Sequence, residues 1–470
     1  MKKYLSWLSI VPFFAIILLL AAFFNFKSNQ ASTIDNRKLT ELPQLKGLKA
    51  EKVNTFTDSV TAYISDRIGF RNDMIHAYTV GNDKLFGIMT HPNYSYGRNG
   101  YVYPSIKPKS LDDDFLDAFA VFIKKAQDYC DERDIPFVFE LDPSKLTVYP
   151  EHLPAGVEIK NDRGELLIKK LDALGARSFD AAPLLKEAKK ETPVFSVKYD
   201  SVHWNDTGAF ITISKLMEEL GKYDGRIQPP DVNDYSLIPE RHKQIVEESD
   251  FPIDETVIMY VPKEETVADL PEKMDYAEEL GRYTSHTYLD FSVSNKEDAP
   301  VILCFTGSYF NRKAKFIAPQ FARTYFIRAY GNVVNMEYYI NLFHPDMVVI
   351  ETAEHATTTD YYPQALLLSK KFNPNYKSLA ALPKEEFTSL DLSGIKTEKG
   401  KAVTRLEIPI KAEDISYVYG LINGYYLDAN INGEVLELTI DHSDVNADSS
   451  LELILISKQE DKQQSIILNI

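Results

Sequence analysis

The amino-acid sequence predicts an α/β fold: a mostly parallel sheet with helices on both faces, preceded by a transmembrane helix and followed by a small β-rich module. Three observations carry this reading. Short apolar runs at 135–141, 301–305, 324–327 and 347–350 alternate with stretches of helical periodicity, the pattern of parallel strands covered on both sides. Residues 4–26 carry no charge. After residue 383 the pattern becomes strand-like alternation, as in 435–440 and 451–456.

The elements follow in chain order. Residues 4–26, coming after Lys2 and Lys3, would span about 35 Å as a helix, enough for a bilayer core. The leading lysines favour a cytoplasmic N-terminus, which puts everything after Lys27 in the periplasm or at the outer cell surface. A cleaved signal peptide competes with this reading, but no small-x-small site follows the apolar stretch, so an uncleaved anchor is expected. Residues 28–50 are polar and turn-rich and read as a stalk.

Helices are expected at 53–64 and on to 86, then a turn at 97–103 feeding a short strand. From Ser110, an N-cap residue, three aspartates in the first turn and the stripe Phe115, Phe119, Phe122, Ala126 and Cys130 mark a long amphipathic helix. A strand at 135–141, a helix at 166–174, a strand at 194–197 and a helix at 208–220 follow. Between 226 and 299 the pattern weakens and acidic residues dominate, which reads as an insertion or a long excursion of the same domain. The expected division is 1–27 anchor, 28–50 stalk, 51–383 main domain and 384–470 β-rich module, the last able to fold apart from the rest.

At 470 residues with 44% hydrophobic content, the chain can build well-formed cores. Its net charge of −17 argues against a nucleic-acid partner, because binding phosphate requires a basic face. Only Cys130 and Cys304 are present, which excludes a disulfide scaffold and cysteine-built metal sites; both lie in apolar stripes and are expected to be buried. The histidines show no metal-ligand spacing, so neither a metal nor another cofactor is expected. The 28 tyrosines against 2 tryptophans suit a sugar-binding cleft, although filling core and surface is the commoner use of such residues.

Two motifs carry chemistry. In the first, Asp200 precedes His203 by three residues, followed by Trp204 and Asn205, between an expected strand and the helix opening at Gly208. A carboxylate so placed can fix the imidazole tautomer and stabilise its protonated form. In the second, the apolar run 301–305 ends in Thr306, Gly307 and Ser308, a turn that would expose the hydroxyl at the sheet edge. Backbone amides of Gly307 and Tyr309 are candidates for stabilising an oxyanion there. His203 is the best base in the chain for Ser308. Taken alone, the second motif is most often an ordinary turn serine.

Together the motifs resemble the AlgX/AlgJ-type SGNH-hydrolase-like proteins of polysaccharide acetylation and the related DHHW proteins, in which an Asp-His motif precedes the nucleophile strand. The resemblance extends over most of residues 35–365. It rests on Asn36 and Arg37, residues 66–71, 85–87 and 97–103, Pro143 to Lys145, Tyr149 to Glu151, Leu153 and Pro154, residues 203–205, the serine turn and residues 345–351. Two departures stand out. The family's Asp-x-His is here Asp-x-x-His, with Ser201 at the usual place of the Asp, and its Gly-Asp-Ser turn is here Thr306, Gly307, Ser308.

The resemblance implies acyl transfer by Ser308, His203 and Asp200, with Lys145 as a further positioning candidate. It also implies a polysaccharide acceptor, and acetyl delivered by a multi-pass membrane acyltransferase of the MBOAT type. Glu354, with His355, is expected in a structural ion pair or cap. Two alternatives remain open: a carbohydrate acetylesterase using the same triad, and a catalytically inactive glycan-binding scaffold protein.

Overall fold

The computed structural model describes the chain apart from residues 1, 33–36, 45–52, 92, 105–110, 160, 247–250, 284–288, 389, 391, 447–448 and 470. Ser110, the expected N-cap, lies outside the described residues. The helix it was to open runs Asp113–Asp131, capped by Asp112, whose side chain accepts the Phe115 N–H at 2.9 Å. Its stripe from Phe115 to Cys130 is buried, as the periodicity required.

At the centre is a seven-stranded sheet. Its order is Ser178–Asp180, Phe137–Asp142, Met347–Ala353, Val301–Phe305, Arg323–Ile327, Leu289–Ser294, Val267–Asp269. The first five strands pair parallel and the last two join antiparallel. Period-two side-chain alternation divides each strand between two cores. Leu303, Phe305, Val348 and Ile350 pack with the helix Asp113–Asp131 on one face. Ile302, Cys304 and Val349 pack with the helix Asp206–Gly221 on the other. Each such fully buried aliphatic or aromatic side chain stabilises the fold by about 1.5–3 kcal/mol.

Two expectations need correction. The segment 194–197 is not a ladder strand; it makes one isolated bridge, Phe195 to Trp204, because its polar groups go elsewhere. Val194 N–H donates to the Tyr149 hydroxyl at 3.1 Å, and Val197 N–H to Glu255 at 2.8 Å. Of the two readings of 226–299, an insertion or a long excursion of the same domain, the structure shows the excursion: it supplies Leu289–Ser294 and Val267–Asp269 to the central sheet. Before them comes a two-stranded hairpin, Tyr235–Val246 with Phe251–Pro262.

The second correction concerns the transmembrane helix. A helix, Lys2–Ala22, does cover the uncharged segment. The side chains of residues 1–9 lie outside the description, and among the described residues no helix is long and apolar enough to cross a membrane. From Ile10 to Leu19 its large apolar side chains are exposed. Its C-terminal end is tied to the next helix pair, with Asn25 N–H donating to Arg67 O at 2.8 Å and the rings of Phe23 and Phe70 in contact at 4.7 Å.

The C-terminal region forms two antiparallel four-stranded sheets. Leu406, Leu436 and Leu438 from one and Val418, Leu451 and Leu453 from the other meet in a common core. The seam with the main domain is buried and polar: Asp428 takes Arg133 Nη2 at 3.0 Å and the Tyr129 hydroxyl, and its backbone bonds to Asn341. Val403 belongs to the main-domain core itself.

Candidate active site

The serine strand Val301–Phe305 lies inside the parallel part of the sheet, so its C-terminal end opens where such sheets hold ligands. There Thr306 N–H bonds to Ile327 O on the neighbouring strand at 3.0 Å, and the chain turns at Gly307. A Cβ on Gly307 would lie 1.7 Å from the Tyr330 hydroxyl and 2.0 Å from its ring. This is why glycine stands there: the close approach of Tyr330, rather than an unusual backbone angle, excludes a side chain.

Ser308 Oγ lies 2.7 Å from His203 Nε2. On the far side of the imidazole, Nδ1 is 2.8 Å from each carboxylate oxygen of Asp200. The sequence-derived trio is therefore brought together in one hydrogen-bonded line. Asp200 reaches its position from the left-handed region, φ 51°, and its Oδ1 also accepts the backbone N–H of Val202 and His203, closing an Asx-type turn. Burial pushes the Asp200 carboxyl up, but the hydrogen bond and charge of His203 outweigh it, leaving the group below the usual carboxylate range and ionised at neutral pH. Ser201, at the family's usual acid position, is buried, and its hydroxyl has no hydrogen-bond partner among the described residues.

The secondary candidates resolve differently. Gly307 N–H is committed to Glu351 Oε2 at 2.5 Å, which removes it as an oxyanion donor. Tyr309 is buried; its hydroxyl donates to Val202 O at 2.8 Å and lies 3.1 Å from Pro143 O. Its ring packs edge-on against both His203 and Trp204, while Trp204 Nε1 donates to its carbonyl at 3.0 Å. The Tyr309 side chain thus braces the imidazole. Lys145 is 1% exposed and donates to the carbonyls of Val102 and Val197, at 2.8 and 3.0 Å, so it joins backbone segments and does not face substrate. Burial lowers its ammonium to about 7. Glu354 acts as the expected cap, accepting Ser144 N–H at 2.9 Å and the Thr147 hydroxyl at 2.5 Å at the start of the helix Lys145–Val148.

Sequence reasoning missed three groups. Glu140, Asp142 and Glu351 are fully buried on adjacent strands beneath the serine turn, Glu351 paired with Glu140 in register. Burial drives all three upward, Glu351 to about 7 and Glu140 and Asp142 well above the carboxylate range, the charge of neighbouring carboxyls adding to the shift of the latter two. Tyr330, whose burial keeps the hydroxyl protonated, is a donor beside the turn. Glu255, on the hairpin, accepts the N–H groups of Val197, Lys198 and Tyr199 just before Asp200. Strand alternation was the available signal for Glu140 and Asp142, since both interrupt an apolar run. Nothing local marks Glu255. Among the described residues no cluster of His, Cys, Asp and Glu is arranged to hold a metal ion.

The chain is similar to several known proteins. No curated protein sequence matches the chain. Among solved structures, Bacillus cereus PatB1 is 16% identical and covers 59% of this chain and 100% of its own, with a TM-score of 0.46. The O-acetyltransferase domain of Pseudomonas putida AlgJ is 16% identical over 60% of this chain and 100% of its own, TM-score 0.41. Pseudomonas aeruginosa AlgX is 14% identical over 80% and 90%, TM-score 0.33. Residues 97–276, which include Asp200 and His203 and end before Ser308, match the model of the SGNH hydrolase-like domain of acetyltransferase AlgX, the family the sequence motifs resemble.

Proposed function

We propose that the protein is a serine-dependent O-acetyltransferase acting on a polysaccharide outside the cytoplasm. The observation that carries the reading is the line from Asp200 through His203 to Ser308, with links of 2.8 and 2.7 Å. In the first half-reaction Ser308 Oγ attacks the acetyl carbonyl of the donor while His203 Nε2 takes the hydroxyl proton. The proton passes to the leaving group and an acetyl-serine ester remains. In the second, a sugar hydroxyl attacks the ester, His203 takes its proton and returns it to Ser308 Oγ. Asp200 remains ionised throughout and stabilises the imidazolium. Tyr330 supplies a protonated hydroxyl beside the turn where negative charge develops on the carbonyl oxygen.

Placement at the outer face of the cytoplasmic membrane is part of this reading, favoured by Lys2 and Lys3 ahead of the uncharged segment 4–26. A domain held at that surface suits a hand-off of acetyl from a multi-pass membrane acyltransferase. Esterase activity is the second reading, favoured by a His203 side chain that is 25% exposed and so open to water as the acceptor. Incubating the protein with an acetyl donor, with and without oligosaccharide acceptors, tests the proposal: acceptor-dependent acetylated sugar is expected. Acetate alone with every acceptor favours the esterase, and no turnover with intact fold defeats both.

A further inference from the structure

We infer that Glu255, on the hairpin formed by Tyr235–Val246 and Phe251–Pro262, is a positioning residue for the triad, its carboxylate fixing the backbone that presents Asp200 to His203. The inference rests on the triad reading above. The Glu255 carboxylate accepts three consecutive backbone N–H groups, Val197 at 2.8 Å, Lys198 at 2.6 Å and Tyr199 at 2.6 Å. Successive amides converge on one acceptor only when the backbone curls around it. The next residue is Asp200, in the sparsely populated left-handed region at φ 51°. Such a conformation persists where the surroundings over-determine it.

The surroundings here do so from two sides. Beneath the arm, the Val197 carbonyl takes Val102 N–H at 2.8 Å and Lys145 Nζ at 3.0 Å. Above it, His242, the cross-strand partner of Glu255, stacks on the Tyr199 ring at 4.0 Å and 21°. The hairpin is itself fastened to the main domain. Tyr260 N–H donates to Asp206 Oδ2 at 3.0 Å, Lys315 Nζ donates to Tyr260 O at 2.7 Å, and the Tyr260 ring packs on Phe210 at 5.1 Å. Asp206 opens the helix that follows the His203 motif. A rigid path therefore runs from that helix through the hairpin and back to Asp200. The carboxylate is the required chemistry, because two acceptor oxygens serve three donors. A glutamine would keep one oxygen and turn an NH₂ group toward an N–H.

The full-length chain carrying Glu255→Gln, Glu255→Ala or Ser308→Ala, and each Glu255 change combined with Asp200→Asn, tests this. The readouts are hydrolysis of 4-nitrophenyl acetate, inactivation by a serine-directed sulfonyl fluoride, and thermal melting. Expected is a fall in kcat of about ten- to a hundredfold for Glu255→Ala and about fivefold or more for Glu255→Gln, with KM within about twofold. In the Asp200→Asn background the same changes should cost less than about twofold, because the arm then presents no carboxylate. Sulfonylation should slow in parallel with kcat. A kcat within about twofold of the parent for Glu255→Gln, or equal losses in both backgrounds, overturns the inference. Should the alanine variant not fold, the near-isosteric glutamine variant decides by the same criteria. If Ser308→Ala retains full hydrolysis the triad reading falls; if it is inactive while Glu255 is neutral, only the present inference falls.

Discussion

His203 Nε2 stands 2.7 Å from Ser308 Oγ although 105 residues of chain separate them. The contact exists because the serine turn ends a central parallel strand while the histidine is carried by an arm outside the sheet, and Tyr309 packs against both His203 and Trp204 to hold the two together.

Ser308→Ala is expected to lower acetyl-ester turnover by about three orders of magnitude or more and to abolish sulfonyl labelling. Stability should change by about 1 kcal/mol or less, since one hydrogen bond is lost and no core volume is removed. His203→Ala should cost nearly as much activity, and Asp200→Ala less, because a carboxylate orients the base without touching substrate. Steady-state kinetics with melting curves checks the ordering. A nearly silent Asp200 change would show that the 2.8 Å link does not serve catalysis.

Gly307→Ala places a methyl group 1.7 Å from the Tyr330 hydroxyl, so either the ring or the turn must move. The cost should be about 1–3 kcal/mol, with activity lost as Ser308 is displaced. Tyr330→Phe cannot relieve the clash, because the ring carbon is also too close, at 2.0 Å. Tyr330→Ala can. Stability measured for Gly307→Ala with Tyr330→Ala should therefore exceed the sum of the single changes, and strict additivity would contradict the packing argument.

A chain ending near Pro383 should melt below the full-length protein and less cooperatively, contrary to the separable module that strand alternation alone suggests. Truncation removes Asp428 from Arg133 and Tyr129, leaving a half-buried guanidinium without its carboxylate, and takes Val403 from the main core. Asp428→Ala in the intact chain should cost about 3 kcal/mol by the same loss of charge pairing. Calorimetry on both proteins checks this, and an unchanged melting temperature after truncation would restore the separable reading.

The sequence made the hydrogen-bonded line of Asp200, His203 and Ser308 legible because each member sits in a local pattern: Ser308 after an apolar run, Asp200 three residues before His203 and both before an amphipathic helix. The same local logic failed for 194–197, whose apolar residues resemble a strand while Tyr149, Glu255 and Lys145 capture its backbone groups. Those partners are distant in sequence and invisible to periodicity. It failed again at 226–299, where acidic content disguised two sheet strands and the hairpin residue that grips the Asp200 arm. Gly307 looked like an oxyanion donor because its N–H lies at the turn; only the fold reveals that Glu351 already takes that hydrogen.

The buried carboxyls beneath that turn predict the pH dependence of stability. Burial raises Glu140, Asp142 and Glu351, so the folded protein retains protons that these carboxyls give up in the unfolded chain. In the unfolded chain these groups lose their protons near pH 4 to 4.5, the ordinary range. Between about pH 5 and pH 7 the folded state thus binds more protons than the unfolded state, and stability falls as pH rises, by about 1.4 kcal/mol per pH unit for each proton retained. Glu351 ceases to add to the slope above about 7. Asp200 contributes nothing in this window, because its lowered carboxyl is ionised in both states. Lys145, lowered to about 7, works in the opposite direction only above that value, which is why the window should stop there. Denaturant unfolding at pH 5, 6 and 7 should show stability decreasing across the series. Glu140→Gln, neutral at every pH, should flatten the decrease by one proton's worth. A stability that rises from pH 5 to 7, or a slope unaffected by that substitution, would mean the cluster is ionised in the folded protein.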